Sequence, residues 1–417
     1  KKIKMTNDKN LLKEHYEKFI YPKPVEDIDK EFLEKRKVLY ADPNFSWHFL
    51  WPEKNYPEKN KILNILVAGC GSDQAAILAK CNPRHNFLGI DISNTSIDHQ
   101  KKLKQKHVLK NLELKCADFR EVNYKQKFDY IISTGVIHHL LEPGSALKIF
   151  EENLTETGVI NLMVYGDKNS YSLNEVKKIF KTLNFDHNLK SISSSRKLIN
   201  NLNNNHPAKI FANKSPDMNY DAGIVDFLLH KQEHYFDILE LINLLDENNL
   251  IIKNFFDGKI PSLTKFFLED IEKINYIRNL DVKKRLELGQ ILNWNDRNIE
   301  LVICKKSQKK HSMIYNQINI NNLYLSPSRS IKYTFEHNKI MVEELFSKNK
   351  ITYNFISNEK PDWKNIFSGK IKLEESLNKT SLSIDKNNYN LFKILIENFH
   401  VDISYYPFED YINFYAK

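Results

Sequence analysis

Between residues 62 and 165 the hydrophobic positions come in short saturated runs, separated by stretches of helical period. Ile62-Leu63-Asn64-Ile65-Leu66-Val67-Ala68 is apolar at nearly every position. That marks a strand buried on both faces, since a half-exposed strand would alternate. The run enters Gly69-Cys70-Gly71 and then a helix-like Gln74-Ala75-Ala76-Ile77-Leu78-Ala79. A second strand, 86–90, ends at Asp91 and is followed by a helical stretch over 96–109. Strands over 112–116, 128–133 and 159–165 follow, with a helix over 144–154. Strands alternating with helices predict a parallel sheet joined by right-handed crossovers. Two later runs, 250–256 and 299–304, predict further strands.

Outside this core the pattern is more varied. Residues 12–19 predict a short helix that stops before Tyr21-Pro22-Lys23-Pro24, where each proline disfavours helix for its predecessor. Phe45, Trp47, Phe49 and Trp51 alternate in a compact aromatic segment. The polar stretch 191–205 predicts a loop; 238–245, much of 261–293, 339–348 and 389–398 predict helices; 351–356 predicts a strand. The 417 residues thus divide into an aromatic arm (1–60), a sheet domain (61–306) with cap insertions at 167–248 and 259–297, and an accessory region (307–417) of smaller α+β type.

Composition narrows the class. Sixty-two Lys and Arg against 53 Asp and Glu give a formal charge of +9, which admits an acidic partner. The excess is mostly Lys scattered singly, with no Arg-rich stripe, so nucleic acid is not the expected partner. No run approaches the roughly 18 apolar residues of a membrane span. Cys70, Cys81, Cys116 and Cys304 form no C-x-x-C pair and no disulfide framework, so a cytoplasmic protein without a metal is expected.

The chemistry concentrates at the first strand–helix turn. Gly69 and Gly71 let a ligand approach bare backbone at a helix N-terminus. Asp91, at the tip of the next strand, suits the hydroxyls of a ribose. Together they point to a nucleoside-containing cofactor. A dinucleotide fingerprint calls for Gly or Ala where Gln74 stands, which opposes an NAD(P)-dependent oxidoreductase.

The set resembles the class I S-adenosylmethionine-dependent methyltransferases, of the type 11/12-like kind. The likeness runs through Val67-Ala68-Gly69-Cys70-Gly71, Gly89-Ile90-Asp91-Ile92-Ser93, Ala117-Asp118-Phe119 and Phe128 to Leu140. It implies a Rossmann-like, doubly wound α/β fold: a seven-stranded sheet with an antiparallel last strand and helical cap insertions. It implies S-adenosylmethionine as cofactor and a small-molecule or protein substrate methylated on N or O. Ala68, Gly69, Cys70, Gly71 and Gln74 would carry its methionine part, and Asp91 with Ile92 its ribose. Asp118 would accept from the adenine amino group, with Phe119 beside the ring. Thr134, Gly135 and Val136 would line the sulfonium. The chain departs from the family at Val67, where an acid is usual, and at Asp73, where a small residue is usual. Asp73 or Gln74 would then meet the cofactor's amino group.

Each site residue has a plainer reading beside this one. The glycines serve a tight turn, Asp91 is a helix N-cap ahead of Ser93, Asp118 caps a turn, and His138 and His139 are structural. The functional reading makes His138 and His139, after the fourth strand, a base or substrate contact. In the long insertion, His230 and His234 are four apart, which would place them on one helix face toward the substrate. A non-catalytic S-adenosylmethionine-binding module is a further alternative. The sequence leaves the acceptor and the oligomeric state open.

Overall fold

The structure, a computed structural model, describes residues 10, 12–33, 40–54, 61–256, 260–292, 298–316, 318–328, 331–344, 348, 350–355, 361–378 and 386–408. Parts of several expectations lie outside these residues: 1–9, 11, 34–39 and 55–60 of the arm, 259 and 293–297 of the second insertion, and 317, 329–330, 345–347, 349, 356–360, 379–385 and 409–417 of the accessory region, which include part of its expected helix over 339–348 and Ile356 of its expected strand.

The sheet has seven strands in the order β3-β2-β1-β4-β5-β7-β6. These are β1 Asn64–Ala68, β2 Asn86–Asp91, β3 Leu112–Cys116, β4 Phe128–Thr134, β5 Leu154–Tyr165, β6 Leu250–Phe255 and β7 Asn298–Lys305. β1 pairs in parallel with β2 and with β4, as do β2 with β3 and β4 with β5. The sheet is mostly parallel, with one antiparallel strand. Ile65 to Ala68 and Phe128 to Ser133 are buried at every position, as central parallel strands covered on both faces require. The first crossover helix, α3 (Gln74–Cys81), buries Ala75, Ala76, Ile77, Leu78 and Ala79. The second, α4 (Asn94–Lys106), begins at Ser93, whose hydroxyl accepts the Ser96 N–H as an N-cap. α5 (Pro143–Asn153) leads into β5.

The chain forms two compact units. One holds the described residues of Lys1–Val38, Ile62–Leu250 and Arg297–Ile299; the other those of Leu39–Lys61, Ile251–Asp296 and Glu300–Lys417. This division groups the segment around Trp47 and most of the second insertion with the C-terminal residues, unlike the three-part division read from the sequence.

In the first unit, residues 12–18 form a helix, α1, as the pattern predicts. Helices α6 (Asp167–Thr182), α7 (Leu189–Asn201), α8 (Pro207–Lys214) and α9 (Asp221–Leu228) pack together in the first insertion. Leu173, Phe180, Ile192, Ile199, Ala212 and Phe227 meet in its core. α7 corrects the expected polar loop. Ser193 is exposed and Ser191 and Ser194 are half-buried, while Ile192 and Ile199 recur at helical spacing and are buried. α10 (Ile238–Glu247) completes the insertion.

In the second unit, Asp42 caps and Pro43 opens α2 (Pro43–Leu50), so the alternating aromatics lie on a helix and are nearly all buried. α11 (Ile271–Asn279) and α12 (Val282–Leu292) occupy the second insertion. Further on lie β8 (Tyr324–Pro327), β9 (Ile331–Phe335), β10 (Lys339–Glu344), β11 (Lys350–Asn354), α13 (Trp363–Ile366), α14 (Leu373–Asn378), α15 (Lys386–Glu397) and β12 (Val401–Ser404). β9, β10 and β11 make an antiparallel sheet, and β8 pairs with β12. β10 corrects the helix expected over 339–348. Ile340 and Val342 face the core while Met341 and Glu343 do not, which is strand alternation. Among the described residues no helix is long and apolar enough to cross a membrane.

Candidate active site

The glycine turn is built as a cradle. The Gly69 and Cys70 N–H groups both donate to the Ile90 carbonyl, at 2.8 and 3.0 Å. Gly69 has φ +74°, and a Cβ there would lie 2.5 Å from a Val136 methyl, so only glycine fits. Gln100, on α4, fixes the turn from behind. Its Nε2 donates to the Cys70 and Gly71 carbonyls at 3.0 and 2.8 Å, and its Oε1 accepts the Ala76 N–H at 3.0 Å. The local pattern around Gln100 gave no hint of this, because its partners lie one crossover earlier.

Asp91 closes the cradle. One carboxylate oxygen accepts the Gly71 N–H at 2.8 Å and the other the Ser93 N–H at 2.9 Å. Burial pushes its carboxyl above the usual range, against the pull of the Ser93 and Gly71 amides. Each oxygen keeps a lone pair for a further donor. A bare-backbone turn beside such a carboxylate fits the nucleoside and methionine parts of S-adenosylmethionine. Ala68 and Cys70 are buried beneath the turn. Burial also raises the Cys70 thiol, which rules it out as a nucleophile. Ile92, Thr134, Gly135 and Val136 are partly open, as lining residues would be. The Gln74 amide donates to the Thr134 hydroxyl at 2.8 Å, tying the start of α3 to the end of β4.

Three expected contacts are otherwise engaged. Both Asp118 oxygens accept from the Arg120 guanidinium, at 2.6 to 3.1 Å, so an adenine amino group would share this carboxylate with an arginine. Phe119 stacks on Phe150 of α5, with centroids 5.3 Å apart. Asp73 accepts the Val25 N–H at 3.2 Å, and burial pushes its carboxyl up to about 6.

Val25 belongs to the N-terminal arm, which binds around the cradle. Ser72 donates to the Pro22 carbonyl and Ser93 to that of Tyr16, each at 3.2 Å. Glu17 accepts the Asn94 and Thr95 N–H groups at the start of α4.

The arm also brings in a residue outside the sequence candidates. His15 lies against His230, ring centroids 4.4 Å apart, and His230 stacks on His139 at 4.0 Å. The Tyr16 hydroxyl donates to Asp226 across 210 residues of sequence, at 3.3 Å. Burial first, then neighbouring histidines, hold His15 down to about 3 and His230 well below the ordinary histidine range, so both are neutral at pH 7. Burial keeps Tyr16 protonated and donating. Nε2 of His15 and Nε2 of His230 are buried without a hydrogen-bond partner. One ligand atom from each of His15, Asp226 and His230 falls within 4.8 Å of the others. The Gln232 N–H donates to His230 Nδ1 at 3.1 Å, so that ring's proton sits on Nε2. The group therefore offers a donor beside a carboxylate and a second imidazole, and not three lone pairs converging on a cation.

The four histidine candidates separate. His139 joins this cluster, with Nδ1 3.2 Å from the Gln232 carbonyl. His138 is fully buried against the Tyr165 ring, centroids 3.7 Å apart. His234 does not join. Residues 229–235 are not helical, because Phe236 bridges Gly166 and extends the chain beside β5, so the expected shared face with His230 is absent. The His234 side chain is exposed and bonds Glu240 at 2.8 Å. Glu233 is held by Lys177 and Tyr235.

Comparison with known proteins agrees with this architecture. Residues 59–219 match a family described as a methyltransferase domain. The fold is similar to that of PKMT2 from Rickettsia typhi, at TM-score 0.61 and 16% identity, covering 88% of this chain and 75% of that one. The same protein in complex with AdoHcy gives TM-score 0.59 and 17% identity, over 87% and 75%. An uncharacterized protein of Synechococcus sp., syc1184_c, is 25% identical over 150 residues. That match spans 34% of this chain and only 36% of the relative.

Proposed function

We propose that this chain, which carries a class I S-adenosylmethionine-dependent methyltransferase domain, transfers a methyl group to an N–H or O–H acceptor on a small molecule or protein side chain. The cofactor supplies a methyl already activated by its sulfonium charge. The protein's work is then alignment and proton removal. Gly69, Gly71 and Asp91 hold the cofactor, and Thr134, Gly135 and Val136 border the transferred methyl.

The observation that carries the reading is the buried cluster of His15, His139, Asp226 and His230. An orphaned buried polar atom costs about 1–3 kcal/mol, so two of them in one cluster favour a site that a bound group completes. A hydroxyl accepts from His230 Nε2–H and still has a lone pair for the methyl carbon. An amine would rely on Asp226 and His15 as acceptors. In both cases Asp226 is placed to take the proton, with neutral His15 beside it as a hydrogen-bond acceptor. A carboxylate acceptor has no proton to give and leaves these two unused.

Label transfer from methyl-tritiated S-adenosylmethionine into the protein and small-molecule fractions of a cell extract tests this. Asp226→Asn, His15→Ala and His230→Ala should each lower transfer by about 10²-fold. Their affinity for S-adenosylhomocysteine should stay within about two-fold of wild type, well under the 1.4 kcal/mol of a ten-fold change. Three variants with full transfer would remove the cluster from the mechanism.

A further inference from the structure

The second unit contains a cavity of about 390 Å³, large enough for a small ligand. Its walls come from α11, α12, residues 313–316, 318 and 320, α15 and β12. They are largely apolar, with Ile277, Leu286, Ile314, Ile320, Ile396 and Val401 among them. Five charged side chains also line it, and four are occupied. Arg278 donates through Nε and Nη2 to the two oxygens of Glu397, at 2.7 and 3.0 Å. Asp402 pairs with His48 at 3.3 Å. Lys393 sits over the Tyr389 ring.

Arg285 is the exception. Its Nη2 donates to the Ile314 carbonyl at 3.3 Å, and its buried Nε has no partner. Among the described residues it has no salt bridge: of the two carboxylate charges that reach it, Glu397 is held by Arg278 and Asp281 acts only from beyond ion-pair distance. A guanidinium keeps its charge and offers a planar fork of donors. With its Nε orphaned, no salt bridge among the described residues and apolar wall beside it, it is complementary to one planar anion with an apolar body.

We propose that this cavity binds a medium-chain carboxylic acid, its carboxylate on Arg285 and its chain along the wall of Ile277, Leu286 and Ile396. This is a second site, independent of the methyl-transfer reading. A neutral analogue of equal length would keep the apolar contacts and lose the charge-assisted pair.

Calorimetric titration of the full chain with decanoate and with decanol tests this. Decanoate should bind saturably and about ten-fold more tightly than decanol, as expected for a charge-assisted bond. Arg285→Met should erase that preference, and Arg285→Lys should keep part of it. Ile277→Trp, which fills the cavity and leaves Arg285 in place, should abolish both and keeps the test decisive if Arg285→Met does not fold. Equal affinity for the two probes, unchanged decanoate binding by Arg285→Met or Ile277→Trp, or no saturable decanoate binding would overturn the proposal.

Discussion

At the scale of single residues, the glycine turn depends on side chains that never meet a ligand. Gln100 satisfies two carbonyls and one amide of the turn, all inside the protein. Gln100→Leu keeps the volume and orphans those groups, which should cost about 1–3 kcal/mol of stability and loosen cofactor binding. Denaturant titration checks the first effect and calorimetry the second. Gly69→Ala combines a left-handed φ with a clash against Val136, and should abolish S-adenosylhomocysteine binding. Acid stability belongs to this scale too. Unfolded His15 takes a proton near pH 6.5, whereas the folded chain holds it back to about 3. Between those values the unfolded state binds more protons, so stability falls as pH falls. His85, held by burial to about 4, adds to the same trend. Asp73, raised to about 6, works the other way, favouring the folded state as pH falls from 6 towards 3.8. In urea titrations at pH 7 and pH 5, His15→Phe should lose less stability on acidification than the wild type.

At the scale of elements, the buried strands and first crossovers were legible because both faces of each central strand are covered, leaving unbroken apolar runs. Elements with one wet face were harder to read. α7 hides Ile192 and Ile199 among serines that favour turns, and packing in the first insertion overrides that preference. β10 is rich in helix-forming Lys, Met and Glu, yet pairing with β9 and β11 makes its two-residue period decisive. A pair of substitutions distinguishes the two. Ile340→Lys should destabilise the second unit by about 3 kcal/mol or more, and Met341→Lys, one position along, much less. A helix would not alternate so sharply, and equal losses in thermal unfolding would argue against the strand.

At the scale of the whole molecule, the two halves of the proposed site were unequally visible. The proposed cofactor cradle comes from adjacent segments, 67–74, 91–93 and 134–136, so strand order and motif spacing were enough to propose it. The cluster proposed for the acceptor joins residue 15 to 139, 226 and 230, and no local pattern signals such distant neighbours. His234, the residue that spacing paired with His230, lies outside it. The second unit carried no motif, and its unpaired Arg285 became visible only from the cavity around it.

The central claim is that Asp91 and the Gly69 turn bind S-adenosylmethionine. Calorimetry of the wild type and Asp91→Ala with S-adenosylhomocysteine, and of the wild type with NADH, tests it most directly. The account predicts saturable binding of S-adenosylhomocysteine, no binding of NADH, and a loss of about 1–3 kcal/mol in Asp91→Ala. Binding of NADH in place of S-adenosylhomocysteine, or an Asp91→Ala affinity equal to wild type, would contradict it.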